Sequence, residues 1–111
     1  MSPMRIDLGG EGEVSGVLNQ QGRWVVQPGW RSSRGGLTFR ALVQAGHPFL
    51  IADNVDLPLP DASCDEVITN NTPPEDSVTM LGPTVQTSEV RRILKAGGRW
   101  VHNGFVQWVK P

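Results

Sequence analysis

The sequence predicts an α/β domain built on a mostly parallel sheet of five or six strands, in three layers with helices on the two faces of the sheet. Three observations predict it. Strand-like and helix-like runs alternate along the chain, the order that gives parallel strands joined by crossover helices. One run, Phe49-Leu50-Ile51-Ala52, is continuously apolar, as strands covered on both faces are. The first strand breaks directly into Asp7-Leu8-Gly9-Gly10-Glu11-Gly12-Glu13. Glycine lacks a Cβ, so such a turn allows positive φ and lets main-chain atoms approach a ligand. The plain alternative is a tight strand-to-loop turn with no ligand, since glycine serves in any such turn.

The elements follow in order. Met4 to Leu8 reads as the first strand. Glu13 to Gln21 reads as one or two helical turns, because Val14, Val17 and Leu18 fall at i, i+3 and i+4, with Gly22 to end them. Arg23-Trp24-Val25-Val26-Gln27 is β-branched and aromatic between Gly22 and Pro28-Gly29, so it reads as the second strand. Pro28 to Gly36 is loop. Leu37 to Ala45 repeats apolar residues at helical spacing and meets Gly46, a helix stop. Phe49 to Ala52 is the third strand, and Asp53 to Ala62 a loop framed by Pro58 and Pro60. Asp65 to Thr69 is the fourth strand, followed by Asn70-Asn71-Thr72-Pro73-Pro74. A short helix fits Asp76 to Leu81. Thr84 to Ala96 is the clearest helix, with Val90, Ile93 and Leu94 on its apolar stripe and Gly97-Gly98 as its stop. Arg99 to His102 is a fifth strand, and Phe105 to Val109 a sixth or a turnaround onto an edge.

Composition narrows the function. The chain has 111 residues, the size of one domain spanning 1–111. Ten basic and eleven acidic residues leave a net charge of −1, which does not indicate nucleic-acid binding. Arg31, Arg34 and Arg40 read as a solvated face. The single Cys64 allows neither an internal disulfide nor a cysteine zinc cluster. No apolar run reaches the length of a membrane span, and no leader pattern is seen, so a soluble cytoplasmic protein is expected. His47 and His102 have no metal-ligand spacing; His47 reads as a helix-end cap and His102 as a packed or edge strand histidine rather than a base. Trp24 and Trp100 read as core, and Trp30 as a lid aromatic or a partner anchor.

In a parallel sheet, ligands bind outside the carboxyl ends of the strands. Here those ends are Asp7 to Gly12, Gln27 to Gly29, Asp53-Asn54 and Asn70 to Pro74, all polar or glycine-rich. Three blocks, in order, resemble a class I S-adenosylmethionine-dependent methyltransferase. They are Asp7-Leu8-Gly9-Gly10-Glu11-Gly12; then Ala52-Asp53 with Leu57-Pro58-Leu59-Pro60-Asp61-Ala62-Ser63-Cys64-Asp65-Glu66-Val67-Ile68; then Glu89-Val90-Arg91-Arg92-Ile93-Leu94-Lys95-Ala96-Gly97-Gly98-Arg99. The nearest likeness is to compact methyltransferase-like domains, some of them in polymorphic toxins. The resemblance implies a truncated, Rossmann-like methyltransferase fold with S-adenosylmethionine as cofactor. It implies that Asp7, Gly9, Gly10 and Gly12 line the cofactor, that Asp53 reads the adenine amine with Asn54 beside it, and that Gln27 meets the ribose. Asn70 and Asn71 lie where such proteins place substrate-facing residues. The methyl acceptor is not legible. A degenerate domain that keeps the fold as an interaction module stays open, as does a dinucleotide-binding unit. The apolar edge at Phe105 to Val109 invites pairing with a second copy or a covering partner.

Overall fold

The computed structural model describes residues 4–70, 78–79, 82–83 and 85–111, with the backbone alone at 78–79 and 82–83. Six strands form one sheet: β1 (Arg5–Leu8), β2 (Leu18–Gln21), β3 (Phe49–Ile51), β4 (Cys64–Thr69), β7 (Leu94–His102) and β8 (Phe105–Val109). Between them β5 (Val78–Thr79) and β6 (Gly82–Pro83) form a separate antiparallel pair. The order across the large sheet is β3-β2-β1-β4-β7-β8. All neighbours run parallel except β7 and β8. The mostly parallel α/β sheet expected from the sequence is present.

The helices are few and short. In α1 (Phe39–Gln44), Thr38 caps the amino end by accepting from the Ala41 N–H at 3.1 Å. The second helix, α2 (Thr87–Ile93), brings Val90 and Ile93 onto Ile6, Leu8, Val67 and Trp100, which share one face of the sheet by strand alternation. Leu57, Cys64, Val85 and Leu94 complete this core. On the opposite face stands Phe49, which meets Phe39 of α1 edge-on at 5.1 Å.

The Pro58-Pro60 loop is held against α2 by one side chain. Arg92 donates to the carbonyls of Leu57 and Leu59 and to Asp61, and pairs with Glu89. Glu89 in turn accepts the Leu57 N–H at 2.8 Å. Much of the second and third blocks of the sequence therefore acts as a structural clamp.

Four expectations are corrected. Residues 18–21, read as the end of a helix, are β2, and residues 9–17 connect β1 to β2 without a helix. Arg23–Val26, read as the second strand, is a 3-10 turn. Its β-forming side chains lack a neighbouring strand, and Gly22 lies flush beneath the Trp24 ring, where a Cβ would stand 2.0 Å from a ring carbon. The clearest helix is shorter than its pattern, because Leu94 enters β7 opposite Cys64. Lastly, Val78–Thr79 pairs with Gly82–Pro83 where a short helix was expected, the rest of that stretch lying outside the described residues. Phe105 to Val109 does form the sixth strand. It turns back through Asn103 and Gly104, whose φ values of 50° and 84° mark a two-residue hairpin turn.

Candidate functional site

The glycine turn leaves β1 at the centre of the sheet and folds over β2. Its amides are consumed within the chain. Gly9 N–H donates to the Gln20 carbonyl at 2.8 Å and Gly10 N–H to the Asp7 carbonyl at 3.1 Å. Glu11 N–H donates to Glu13 at 2.8 Å, and Gly12 N–H to Asn19 Oδ1 at 3.2 Å. Packing requires the glycines themselves. A Cβ on Gly10 would stand 2.4 Å from Asn19 Oδ1 and 2.8 Å from Asp7 Cγ. At Gly12, with φ +89°, a Cβ would meet the His47 ring at 2.8 Å. Gly10→Ala is therefore expected to cost about 1–3 kcal/mol through overpacking, read as a fall in the urea midpoint with unchanged slope. Unchanged stability would mean that Asn19 and Asp7 can move aside.

Beneath this turn lies the site's main anomaly. Asp7 is only 1% exposed. Neither of its carboxylate oxygens has a hydrogen-bond partner among the described residues. Burial, helped by the charges of Glu13 and Glu11, pushes its pKa up to about 7. Buried polar atoms are almost always paired, so an orphaned carboxyl of this kind needs a reason.

Gln20 joins the glycine turn to the end of β3. Its Oε1 accepts from the Gly9 N–H at 3.2 Å, and its Nε2 donates to the Ala52 carbonyl at 2.6 Å. Asp53, exposed, follows Ala52 directly, with half-buried Asn54 next. One amide side chain thus brings Gly9 and the Ala52-Asp53 junction together. Gln21 closes the other side by donating to the carbonyls of Gly9 and Gly10 at 2.9 and 3.0 Å. Both residues escaped sequence reading. Their signal was the polar run Asn19-Gln20-Gln21, buried despite its composition.

Gln27 is placed differently. The second strand ends at Gln21, so the position that the resemblance gives to Gln27 belongs to Gln21. Gln27 is exposed, just past the 3-10 turn, with its N–H on the Trp24 carbonyl. The loop beyond it returns to the glycine turn, where Ser33 donates to Glu11 through its N–H at 2.7 Å and its hydroxyl at 3.3 Å. His47 closes α1 with its N–H on the Leu42 carbonyl, and its ring covers Gly12.

On the other side of β1 in the sheet lie the ends of β4 and β7. Half-buried Asn70 follows Thr69, while Asn71 lies outside the described residues. Thr69 stands opposite His102 in the sheet register. Trp100 Nε1–H donates to Thr69 Oγ1 at 3.0 Å, and the same oxygen lies 2.7 Å from His102 Nδ1.

A groove of about 500 Å³ lies at the opposite end of the sheet, lined by Arg5, Asp65, Glu66 and residues 95–99. Its charged groups are all paired, with one positive charge in excess: Arg5 and Arg99 both pair with Glu66, at 3.1 and 2.6 Å, and Lys95 with Asp65 at 3.3 Å. Among the described residues no cluster of His, Cys, Asp and Glu could hold a metal ion. Nor is any helix there long and apolar enough to cross a membrane. No protein-family model matches the chain, and no curated protein matches it.

Proposed function

We propose that this chain is a compact, Rossmann-like methyltransferase domain that binds S-adenosylmethionine at the carboxyl ends of β1 and β3. The observation that carries the reading is the orphaned Asp7 carboxyl beneath the glycine turn, with Glu11 and Glu13 around it. A buried carboxyl with two further acids nearby favours a cation, and S-adenosylmethionine carries a sulfonium and an ammonium group. When bound, that cofactor supplies an already activated methyl group, so the protein's task is to hold the acceptor in line. Asp7 and the Gly9–Gly12 turn would hold the cationic end. Asp53 would accept from the adenine amine, as a carboxylate accepts from any exocyclic N–H. Gln27, which the resemblance gives to the ribose, is exposed just past the 3-10 turn that follows β2, and Gln21 ends β2 with its amide N–H groups on the Gly9 and Gly10 carbonyls.

The strand order supports the position. Connections leave β1 and β4 in opposite directions, and ligands of doubly wound sheets sit at that switch point. The same geometry argues against a dinucleotide. A pyrophosphate wants free amides and a helix amino end. Here the turn's amides are bonded internally and no helix follows it.

A second reading, a domain that serves as an interaction module, rests on β8. This edge strand exposes Phe105 at 79%, Val106 at 54% and Val109 at 50%. Calorimetry decides between the two. S-adenosylhomocysteine is expected to bind the wild-type chain, and Asp53→Ala to weaken it about tenfold, the equivalent of ~1.4 kcal/mol. No heat at millimolar ligand removes the cofactor reading, and concentration-dependent self-association would then favour the second.

A further inference from the structure

We infer that Asp7 exchanges a proton for a cation: a primary ammonium group enters beneath the glycine turn, donates to both carboxylate oxygens, and displaces the proton that otherwise neutralises them.

Asp7 is 1% exposed, and neither carboxylate oxygen has a partner among the described residues. The donors around it are committed elsewhere. The Gly9 N–H is on the Gln20 carbonyl, the Gly10 N–H on the main-chain carbonyl of Asp7 itself, and the Gly12 N–H on Asn19 Oδ1. Asn19, its neighbour on β2, donates to the Pro48 carbonyl at 3.1 Å, and Ile68, its neighbour on β4, has no side-chain donor. Nearby charges do not offset it. Glu13 and Glu11 act on Asp7 with its own sign. Arg5, two positions back and on the same side of the sheet by strand alternation, is paired with Glu66, which also holds Arg99. The His47 ring is packed on Gly12.

A carboxyl so placed is held either protonated or ionised against an external cation. Both oxygens lack a donor, so charge alone does not complete the site. An ammonium group brings three N–H donors on a compact head. A sulfonium has no hydrogen to donate, so of the two cations on S-adenosylmethionine the ammonium is the one that fits. Main chain alone covers the carboxyl here: Gly10 has no Cβ, which would stand 2.8 Å from Asp7 Cγ, and Gly9 and Gly12 hold φ values of 76° and 89°. The turn can therefore swing on glycine torsions without unpacking a side chain of its own. In the exchange, the protonated Asp7 carboxyl and R–NH3+ give the carboxylate–ammonium pair and one proton, which leaves to solvent. The identity of the amine rests on the cofactor reading above; the exchange itself does not.

Calorimetry of the full chain with S-adenosylhomocysteine, at four pH values from 5 to 8, reads the exchange. Only the ionised fraction of Asp7 is competent, so affinity is expected to rise about tenfold per pH unit below about 7 and to level off above it. Asp7→Asn should bind more weakly, with a flat profile. Methylthioadenosine, which lacks the ammonium group, should give a flat profile with the wild type. A flat wild-type profile for S-adenosylhomocysteine overturns the inference and leaves the cofactor reading standing. A slope that survives in Asp7→Asn would belong to another group, such as His47, and overturns it too. A second arm dispenses with the cofactor. The Asp7 carboxyl carbon is followed by 13C NMR from pH 4.5 to 9 in methylammonium chloride and in tetramethylammonium chloride at matched ionic strength. Methylammonium is expected to lower the titration midpoint, and tetramethylammonium, which has no N–H, to leave it in place. Equal midpoints overturn the inference. A midpoint lowered by methylammonium, with no heat from S-adenosylhomocysteine, keeps the exchange and removes the cofactor reading.

Discussion

Asp7→Asn is expected to stabilise the protein at neutral and alkaline pH while weakening its ligand binding. The folded-state pKa of Asp7 is raised from 3.8 to about 7 by burial first, then by Glu13 and Glu11. A raised acid binds its proton more tightly folded than unfolded. Its favourable contribution is complete below pH 3.8, declines as pH climbs, and is gone above about 7. Asparagine has the same outline and no charge to strand. The variant should match the wild type near pH 3.5, pull ahead through the range from 3.8 to 7, and stay ahead by at most about 4 kcal/mol above it. Urea unfolding at four pH values gives the comparison. Parallel wild-type and variant profiles would show that Asp7 ionises freely and is no anomaly. A gain in stability with a loss of S-adenosylhomocysteine affinity is the exchange expected where a strained group serves function.

Arg92→Ala is expected to cost about 3 kcal/mol, near the lower end for breaking a buried ion pair because the guanidinium is 30% exposed. It removes the donor to the Leu57 and Leu59 carbonyls and to Asp61, and among the described residues leaves the Glu89 carboxylate with only the Leu57 N–H. Arg92→Lys should recover only part of this, since an ammonium lacks the planar fork that reaches several acceptors. The acid limb of the stability profile should move too. Arg92 first, and the Leu57 N–H after it, hold the Glu89 carboxyl below its ordinary 4.5 against the opposing effect of burial. A depressed acid stabilises above its unfolded value and loses that contribution as pH falls. In Arg92→Ala that contribution is lost at neutral pH, so the acid limb should flatten and the two profiles should converge as pH falls. Thermal melts at pH 3 to 6 test this, and a limb of unchanged slope would mean that Glu89 does not depend on its partner. With Asp7 acting oppositely, these two groups place maximum stability on the acid side of neutrality.

The parallel sheet was legible because its signals are local. Phe49-Leu50-Ile51 and the Val67-Ile68 run are strand-like by themselves, and Gly9 and Gly10 mark where β1 must stop. β2 was hidden because its buried residues Asn19, Gln20 and Gln21 are polar. They are satisfied by Pro48, Ala52, Gly9, Gly10 and Gly12, which lie on other segments. A pattern that counts apolar residues cannot see burial achieved through hydrogen bonds. Arg23 to Val26 failed the other way, its strand propensity outweighed by the lack of an adjacent strand. In α2, the glycines that read as a helix stop lie inside β7, where Gly97 N–H donates to the Lys110 carbonyl. At the site, Asp7 and Asp53 could be picked out by residue type and position. The bridge through Gln20 could not, because it exists only once Gly9 and Ala52 share a neighbour.

The middle of the sheet also fixes a timetable. Arg5 of β1 pairs with Glu66 of β4, 61 positions along the chain. At synthesis rates of about 5–20 residues per second, the two emerge several seconds apart. During that interval one side of β1 lacks its permanent neighbour and is open to any stray strand. The β7–β8 hairpin, joined by Asn103 and Gly104, can zip within microseconds of emerging. The β7–β8 pair is thus quick to assemble, while the innermost strand of the sheet waits longest for its neighbour.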